Sequence, residues 1–154
     1  MEPIIIRTAT IDDLDMLLRF EQGVITAERP FDETIRAGQI NYYDIVHMIN
    51  APHIEIVVAQ TGDKLIGSGY ARVEDSRLYL NHKQHAYLGF MYVDPEYRGK
   101  GVNKLVIDTL KKWAVSRGMV ELRLDVYHNN EPAIKAYEKV GFSPLLLQMR
   151  MGVK

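Results

Sequence analysis

An α/β (α+β) fold, a mixed sheet with helices on both faces, is predicted by three features of the sequence. Runs rich in β-branched and aromatic residues, Ile54 to Ala59, Leu65 to Val73 and Ala86 to Val93, read as strands. Two stretches, beginning at Ile11 and at Val102, repeat apolar residues at spacings of three and four, as a helix with one buried face requires. Strand-like and helix-like segments follow one another over 154 residues with no repeat, low-complexity tract or long linker, which fits one domain spanning residues 1–154. The order is β-α-α-β-β-β-α-β-α-β.

Ile4 to Thr8 is the first strand. Thr10 can cap the helix that follows, with Asp12 and Asp13 in its positive first turn and Ile11, Leu14, Leu17 and Leu18 on its buried face. Gly23 to Pro30 reads as a loop or a ragged helix end, and residues 31–49 as one or two further helices starting near Asp32. Thr61-Gly62-Asp63 is a hairpin turn signal between two strands. Ala86 to Val93 is long, apolar and aromatic, hence a central strand, and Asp94-Pro95 ends it because proline cannot donate to a ladder. Val102, Leu105, Val106, Leu110, Trp113 and Ala114 share one helix face, with Gly118 just beyond the end. Val120 to Tyr127 alternates like a strand. Pro132 suits the first turn of another helix, Gly141 its stop, and Leu145 to Met151 a last, apolar strand.

Composition excludes several classes. Hydrophobic residues are 47% and charged residues 25%, ordinary for a soluble globular chain. A net charge of -1 gives no global field for nucleic acid or an anionic membrane. The absence of cysteine removes disulfides, thiolate metal sites and a cysteine acyl-enzyme. MEPIIIRTATIDDLD reads as neither a signal peptide nor a membrane span, so a cytoplasmic location is the default expectation. His82, His85 and His128 lack the supporting carboxylate or cysteine spacing of a metal site, and the His82–His85 stretch reads as a polar loop, so no metal is expected.

The stretch YVDPEYRGKGVNKL places Arg98-Gly99-Lys100-Gly101 between a strand and a helix. A helix start carries unpaired N–H groups and partial positive charge, and glycines let a phosphate approach them. Arg98, Lys100 and Lys104 add charge to the same place, so the candidate ligand is a phosphate or pyrophosphate; a plain strand-to-helix connection is the equal alternative. The turn is neither a Walker A sequence nor a GxGxxG fingerprint.

V-x-P-x-Y-R-G-K-G-V, followed by a helix and then ELRLDVYHNNEPAIKAYEKVGF, resembles the GCN5-related N-acetyltransferase (GNAT) family, strongly over about residues 86–143. IRTATIDDLDML is similar to the family's opening strand and helix. The resemblance implies that Arg98, Gly99, Lys100, Gly101, Val102, Asn103 and Lys104 form the pyrophosphate turn for acetyl-CoA. Arg98 takes the family's Arg/Gln place and Gly101 its central glycine, whereas Asn103 departs from a Gly/Ala position. The resemblance places the backbone of Met91, Tyr92 and Val93 along the pantetheine arm and Asn130 on the same arm, where a helix cap is an equally compatible role. It implies Tyr137 as general acid and Asp125 as base, directly or through water, with Tyr87 and Tyr79 as alternative bases.

The activity implied is acetyl transfer from the thioester directly to a primary amine of a small molecule or peptide. A catalytically silent acyl-CoA-binding module is the alternative, and nucleic acid and membrane are not expected partners. Family members are commonly dimers, so a homodimer stays open. Glu21, Glu28, Arg29, Phe31, Tyr42 and Tyr43 lie in the region that shapes the acceptor site in the family, although each alone reads as ordinary helix surface or core.

Overall fold

The structure, a computed structural model, describes residues 2–154. It contains two compact units, one ending at Leu124 and one running from Asp125 to Lys154. In the first unit the elements are β1 (Ile4–Thr8), α1 (Leu14–Glu28), α2 (Ile45–Asn50), β2 (Ile54–Thr61), β3 (Lys64–Asp75), β4 (Gln84–Val93), α3 (Val102–Ser116) and β5 (Leu122–Arg123); the second holds α4 (Glu131–Lys139). The five strands lie in sequence order, with β1 to β4 antiparallel and β5 parallel to β4.

β2 is buried at six of its eight positions, because helices cover both faces of the sheet. Ile54, Ile56 and Val58 join Leu17, Phe20 and Val24 of α1 and Ile45 and Met48 of α2 in one core cluster. Successive side chains point to opposite faces, so Val57 and Ala59 face the other way, where α3 packs on β2 and β3. The buried face of α3 is Val102, Val106, Ile107, Leu110 and Ala114, each large apolar side chain stabilising the fold by about 1.5–3 kcal/mol. Leu105, expected on that face, is 40% exposed.

Several expected elements move. α1 continues through Gly23 to Glu28 where a loop was expected. Val24 and Ile25 extend the buried face set by Leu17 and Phe20, while Ile11 and Leu18, expected on that face, are exposed. Gly23 sits inside the helix because a Cβ there would lie 2.4 Å from the Tyr92 ring. Residues 32–44 form no α-helix: side chains tie this segment down instead, and α2 starts only at Ile45, where the Asp44 side chain accepts from the His47 amide. β5 is two residues long rather than the eight expected. Residues 143–154, expected to hold a last strand over 145–151, carry no regular structure. No helix among the described residues is long and apolar enough to cross a membrane.

The junction of β1 and α1 is set by one buried acid. Asp13 accepts two bonds from the Arg7 guanidinium, both 2.9 Å, and one from the Thr10 amide at 2.8 Å. The Arg7 hydrogen bond holds the Asp13 carboxyl below the usual carboxylate range, against the opposing effect of burial. A carboxyl that titrates lower folded than unfolded stabilises the chain above about pH 4, and this contribution fades as the pH falls through the folded value. Asp13→Ala is expected to cost about 2 kcal/mol at pH 7, and urea unfolding should show its difference from the parent chain shrinking towards pH 3.

Candidate active site

The antiparallel pairing of β3 and β4 is interrupted at one place. Ser68 pairs with Tyr92 and Tyr70 with Gly89, so β4 advances one residue more than β3 and a bulge forms at Phe90–Met91. Phe90 has φ +56°, the left-handed region that a non-glycine residue seldom adopts. The fully buried Ser68 hydroxyl donates to the Phe90 carbonyl at 3.0 Å and holds the bulge in place. Helix α3 and a β4 side chain pack tightly on β3 here: a Cβ on Gly69 would lie 2.6 Å from Val106 and 2.9 Å from the Met91 sulfur. Ser68 and its flanking glycines escaped the sequence reading; Gly67-Ser68-Gly69 inside a strand pattern was the available signal.

The bulge lies on β4 beyond its ladder with the second neighbour, β5. The described ladder between β4 and β5 consists of Ala86 with Leu122 and Tyr87 with Arg123. Met91, Tyr92 and Val93 lie beyond it, with Tyr92 and Val93 paired to β3 and Met91 in the bulge. All three are half-buried, and the Tyr92 ring stacks on Phe20 at 4.7 Å.

The chain then turns into α3. Gly99 and Gly101 have φ +76° and +80°, conformations that cost a residue with a Cβ. A Cβ on either would meet nothing within 4 Å, so the turn faces open space. The first helical bond runs from the Leu105 amide to the Gly101 carbonyl, which leaves the amides of Val102, Asn103 and Lys104 ahead of the helical ladder. Gly101, as N-cap, has no side chain to satisfy them. Arg98, Gly99 and Lys100 are exposed at this end, and Lys100 lies 5.4 Å from the centre of the Tyr97 ring. Lys104 is turned along the helix to Asp108 at 2.7 Å, and the Val102 side chain is buried, so these two present their backbone to the turn. Asn103 is half-buried. This geometry fits a diphosphate: unsatisfied amides, a positive helix end and clear space before them.

The N-terminal third separates into two groups of residues. Glu21 is fully buried and accepts from the Asn41 side chain at 3.0 Å and from the Tyr42 and Tyr43 amides, both at 2.7 Å. Arg29 donates to the Arg36 and Gly38 carbonyls. Both therefore build the loop rather than face an acceptor. Tyr43 packs on Phe90 at 4.9 Å and on Tyr70 at 5.8 Å, and burial raises its hydroxyl above the usual tyrosine range. Burial also raises the Glu28 carboxyl, while a hydrogen bond from Tyr42 acts the other way. Tyr87 is half-buried beneath Arg72, 5.4 Å from its guanidinium, whereas Tyr79 is 82% exposed on the β3–β4 connection.

Asp125, Asn130 and Tyr137 belong to the second unit. Asn130 accepts from the Ala133 amide at 3.3 Å and so caps α4. The Tyr137 ring packs edge-on against Phe142 at 5.9 Å, and the Phe142 amide donates to the Tyr137 carbonyl. Asp125 was expected on a strand but follows the end of β5 and is exposed. His82 pairs with Glu121 at 2.8 Å, and His85, expected in a loop, is buried on β4 with Ser76 at 2.9 Å. Among the described residues no group of three or more His, Asp or Glu side chains converges to hold a metal ion.

The acetyltransferase (GNAT) family model matches residues 18–142. The chain is 30% identical over 136 residues to the acetyltransferase SG1711 of Sodalis glossinidius, covering 86% of this chain and 89% of that one. It is 41% identical over 58 residues to a streptothricin acetyltransferase of Escherichia coli, covering 38% of this chain and 33% of that one. One curated relative is a much longer protein, of which the chain spans 37%, and the match to the streptothricin acetyltransferase spans 33% of that protein. The fold is similar to that of AAC(6')-Iy in complex with the bisubstrate analogue CoA-S-monomethyl-acetylneamine, with TM-score 0.74, 18% identity and 99% of each chain covered.

Removing the clamp on the bulge should be visible in stability. Ser68→Ala, which leaves the buried Phe90 carbonyl without its donor, is expected to cost about 1–2 kcal/mol. Gly69→Ala is expected to cost more, because its Cβ meets Val106 and Met91, and urea unfolding with both variants checks the order.

Proposed function

Because the chain belongs to the acetyltransferase (GNAT) family, we propose that it transfers an acetyl group from acetyl-CoA directly to a primary amine of a small molecule, with peptide amines as the second acceptor class. The reading treats residues 1–154 as one N-acetyltransferase domain. It rests on one observation above all: the bulge at Phe90 and the unsatisfied amides at Val102 to Lys104 lie at the two ends of a single short stretch of chain. A donor molecule with a diphosphate at one end and an acyl group at the other matches that stretch.

When bound, acetyl-CoA supplies an activated thioester and a thiolate leaving group. The amides of Val102, Asn103 and Lys104, with Arg98 and Lys100, hold the diphosphate, and the clear space before Gly99 and Gly101 admits it. Val93, Tyr92 and Met91 offer the edge of β4 to the arm as a neighbouring strand would. A backbone N–H at the bulge polarises the thioester carbonyl and steadies the oxyanion as the amine adds to it. Asn130 contributes to the arm while capping α4. Asp125 takes the amine proton through a water, and the Tyr137 hydroxyl gives a proton to the departing sulfur, so that one C–N bond forms and one C–S bond breaks. The absence of cysteine supports direct attack. The names of the relatives, with streptothricin in one and an acetylneamine analogue in another, support small amines as the first acceptors to test.

Free-thiol release in the presence of acetyl-CoA and an amine panel tests the reading. Acceptor-dependent, sustained release is expected; tight cofactor binding without release over a broad panel would favour a silent acyl-CoA-binding module. Arg98→Ala is expected mainly to raise the acetyl-CoA dissociation constant, by about tenfold in calorimetry. Tyr137→Phe is expected to lower kcat by about a hundredfold, with a far smaller effect on acetyl-CoA binding.

A further inference from the structure

Tyr92 sits where two glycines make room for it. Gly23 lies inside α1, where a glycine costs a helix about 1 kcal/mol relative to alanine. Its φ is not positive, so no special backbone conformation accounts for it. What the missing Cβ provides is space. A Cβ there would lie 2.4 Å from Cε1 and 3.1 Å from Cζ of the Tyr92 ring. Phe20, about one turn earlier on the same helix, stacks on that ring at 4.7 Å with 26° between the planes. The ring is therefore held in a notch of α1, one face against Phe20 and one edge against Gly23. The main chain of Tyr92 is held as closely. It pairs with Ser68, and a Cβ on the neighbouring Gly67 would lie 2.7 Å from the Tyr92 carbonyl and 3.3 Å from Val102, the first residue of α3. One residue thus connects the notch on α1 to the middle of the Met91–Val93 edge and, across Gly67, to the first turn of α3.

We propose that Gly23 is a positioning residue for the acyl donor: by seating the Tyr92 ring, it sets where the main chain of Met91, Tyr92 and Val93 meets the arm of acetyl-CoA. The inference rests on the transfer reading above. Gly23 acts through Tyr92 and not on the donor itself. Relieving a 2.4 Å contact to an ordinary carbon–carbon distance moves the ring by about 1 Å. The stacked Phe20 closes the way out across the ring face, so the displacement passes to the Tyr92 main chain. Backbone hydrogen bonds weaken steeply as their alignment is lost, and a shifted edge therefore binds the donor less well.

Calorimetric titration of acetyl-CoA into parent and variant chains tests the assignment. Gly23→Ala is expected to raise the dissociation constant about tenfold. Val24→Ala is the control: it loosens the same turn of α1 and leaves the notch as it is. It is expected to lower the melting temperature while donor affinity stays at the parent value. Removing the ring removes the clash, so Gly23→Ala/Tyr92→Leu is expected to bind acetyl-CoA no more weakly than Tyr92→Leu alone. An equal rise in Val24→Ala, or losses that simply add in the double variant, would overturn the role of Gly23. If Gly23→Ala does not fold, Phe20→Leu takes its place, because it opens the other wall of the notch and adds no atom. Weakened acetyl-CoA binding by Phe20→Leu then supports the seat, and unaltered binding overturns it. A parent chain that binds no acetyl-CoA overturns the transfer reading and this inference together, whereas parent binding that Gly23→Ala leaves unaltered overturns the inference alone.

Discussion

The hydrogen bond from the buried Ser68 hydroxyl to the Phe90 carbonyl is the constraint on which the candidate site depends. It compensates a residue held at positive φ and fixes the one-residue offset between β3 and β4. Without that offset, Met91, Tyr92 and Val93 would continue the regular ladder and turn each side chain to the other face. The same offset brings Phe90 under Tyr43 and sets Tyr92 against Phe20 and Gly23. A single buried bond therefore registers the sheet, the first helix and the loop before α2 against one another.

The α3 end of the stretch obeys a different logic. The bulge is defined by crowding, and the turn at Gly99 and Gly101 by open space. Rigid packing of Val102, Val106 and Leu110 beneath the turn fixes where the helix begins, so its exposed amides need no movement to receive an anion. In the proposed reading, one end of the stretch holds the donor and the other end aims it. A sheet interior is well suited to the second task, because its backbone groups are already oriented before any ligand arrives.

Much of this was legible in the sequence, and the exceptions have physical causes. The periodicity of α3 and the glycine turn before it are local signals, and both are found where they were expected. The α1 extension was missed because Gly23 suggests a break, whereas its missing side chain is filled by a ring more than sixty positions away. The segment 32–44 seemed helical because its order comes from the distant Glu21 and Arg29, which no local pattern reveals. The bulge was invisible for the same reason: a register shift belongs to two strands together, and only the glycine-flanked Ser68 hints at it. For Glu21 and Glu28 the sequence alone could not say which acid is structural: Glu21 is tied to the amides of Tyr42 and Tyr43, whereas Glu28 is half-buried at the end of α1.

That division carries a consequence for how such a chain diversifies. Glu21 grips residues 41–43 largely by their main chain, through two backbone amides and one side-chain amide. Most of the grip is indifferent to which side chains those positions display outward. Successive replacements at the rim therefore change what the segment displays while the anchoring carboxylate preserves its shape, separating the inheritance of architecture from the drift of surface chemistry.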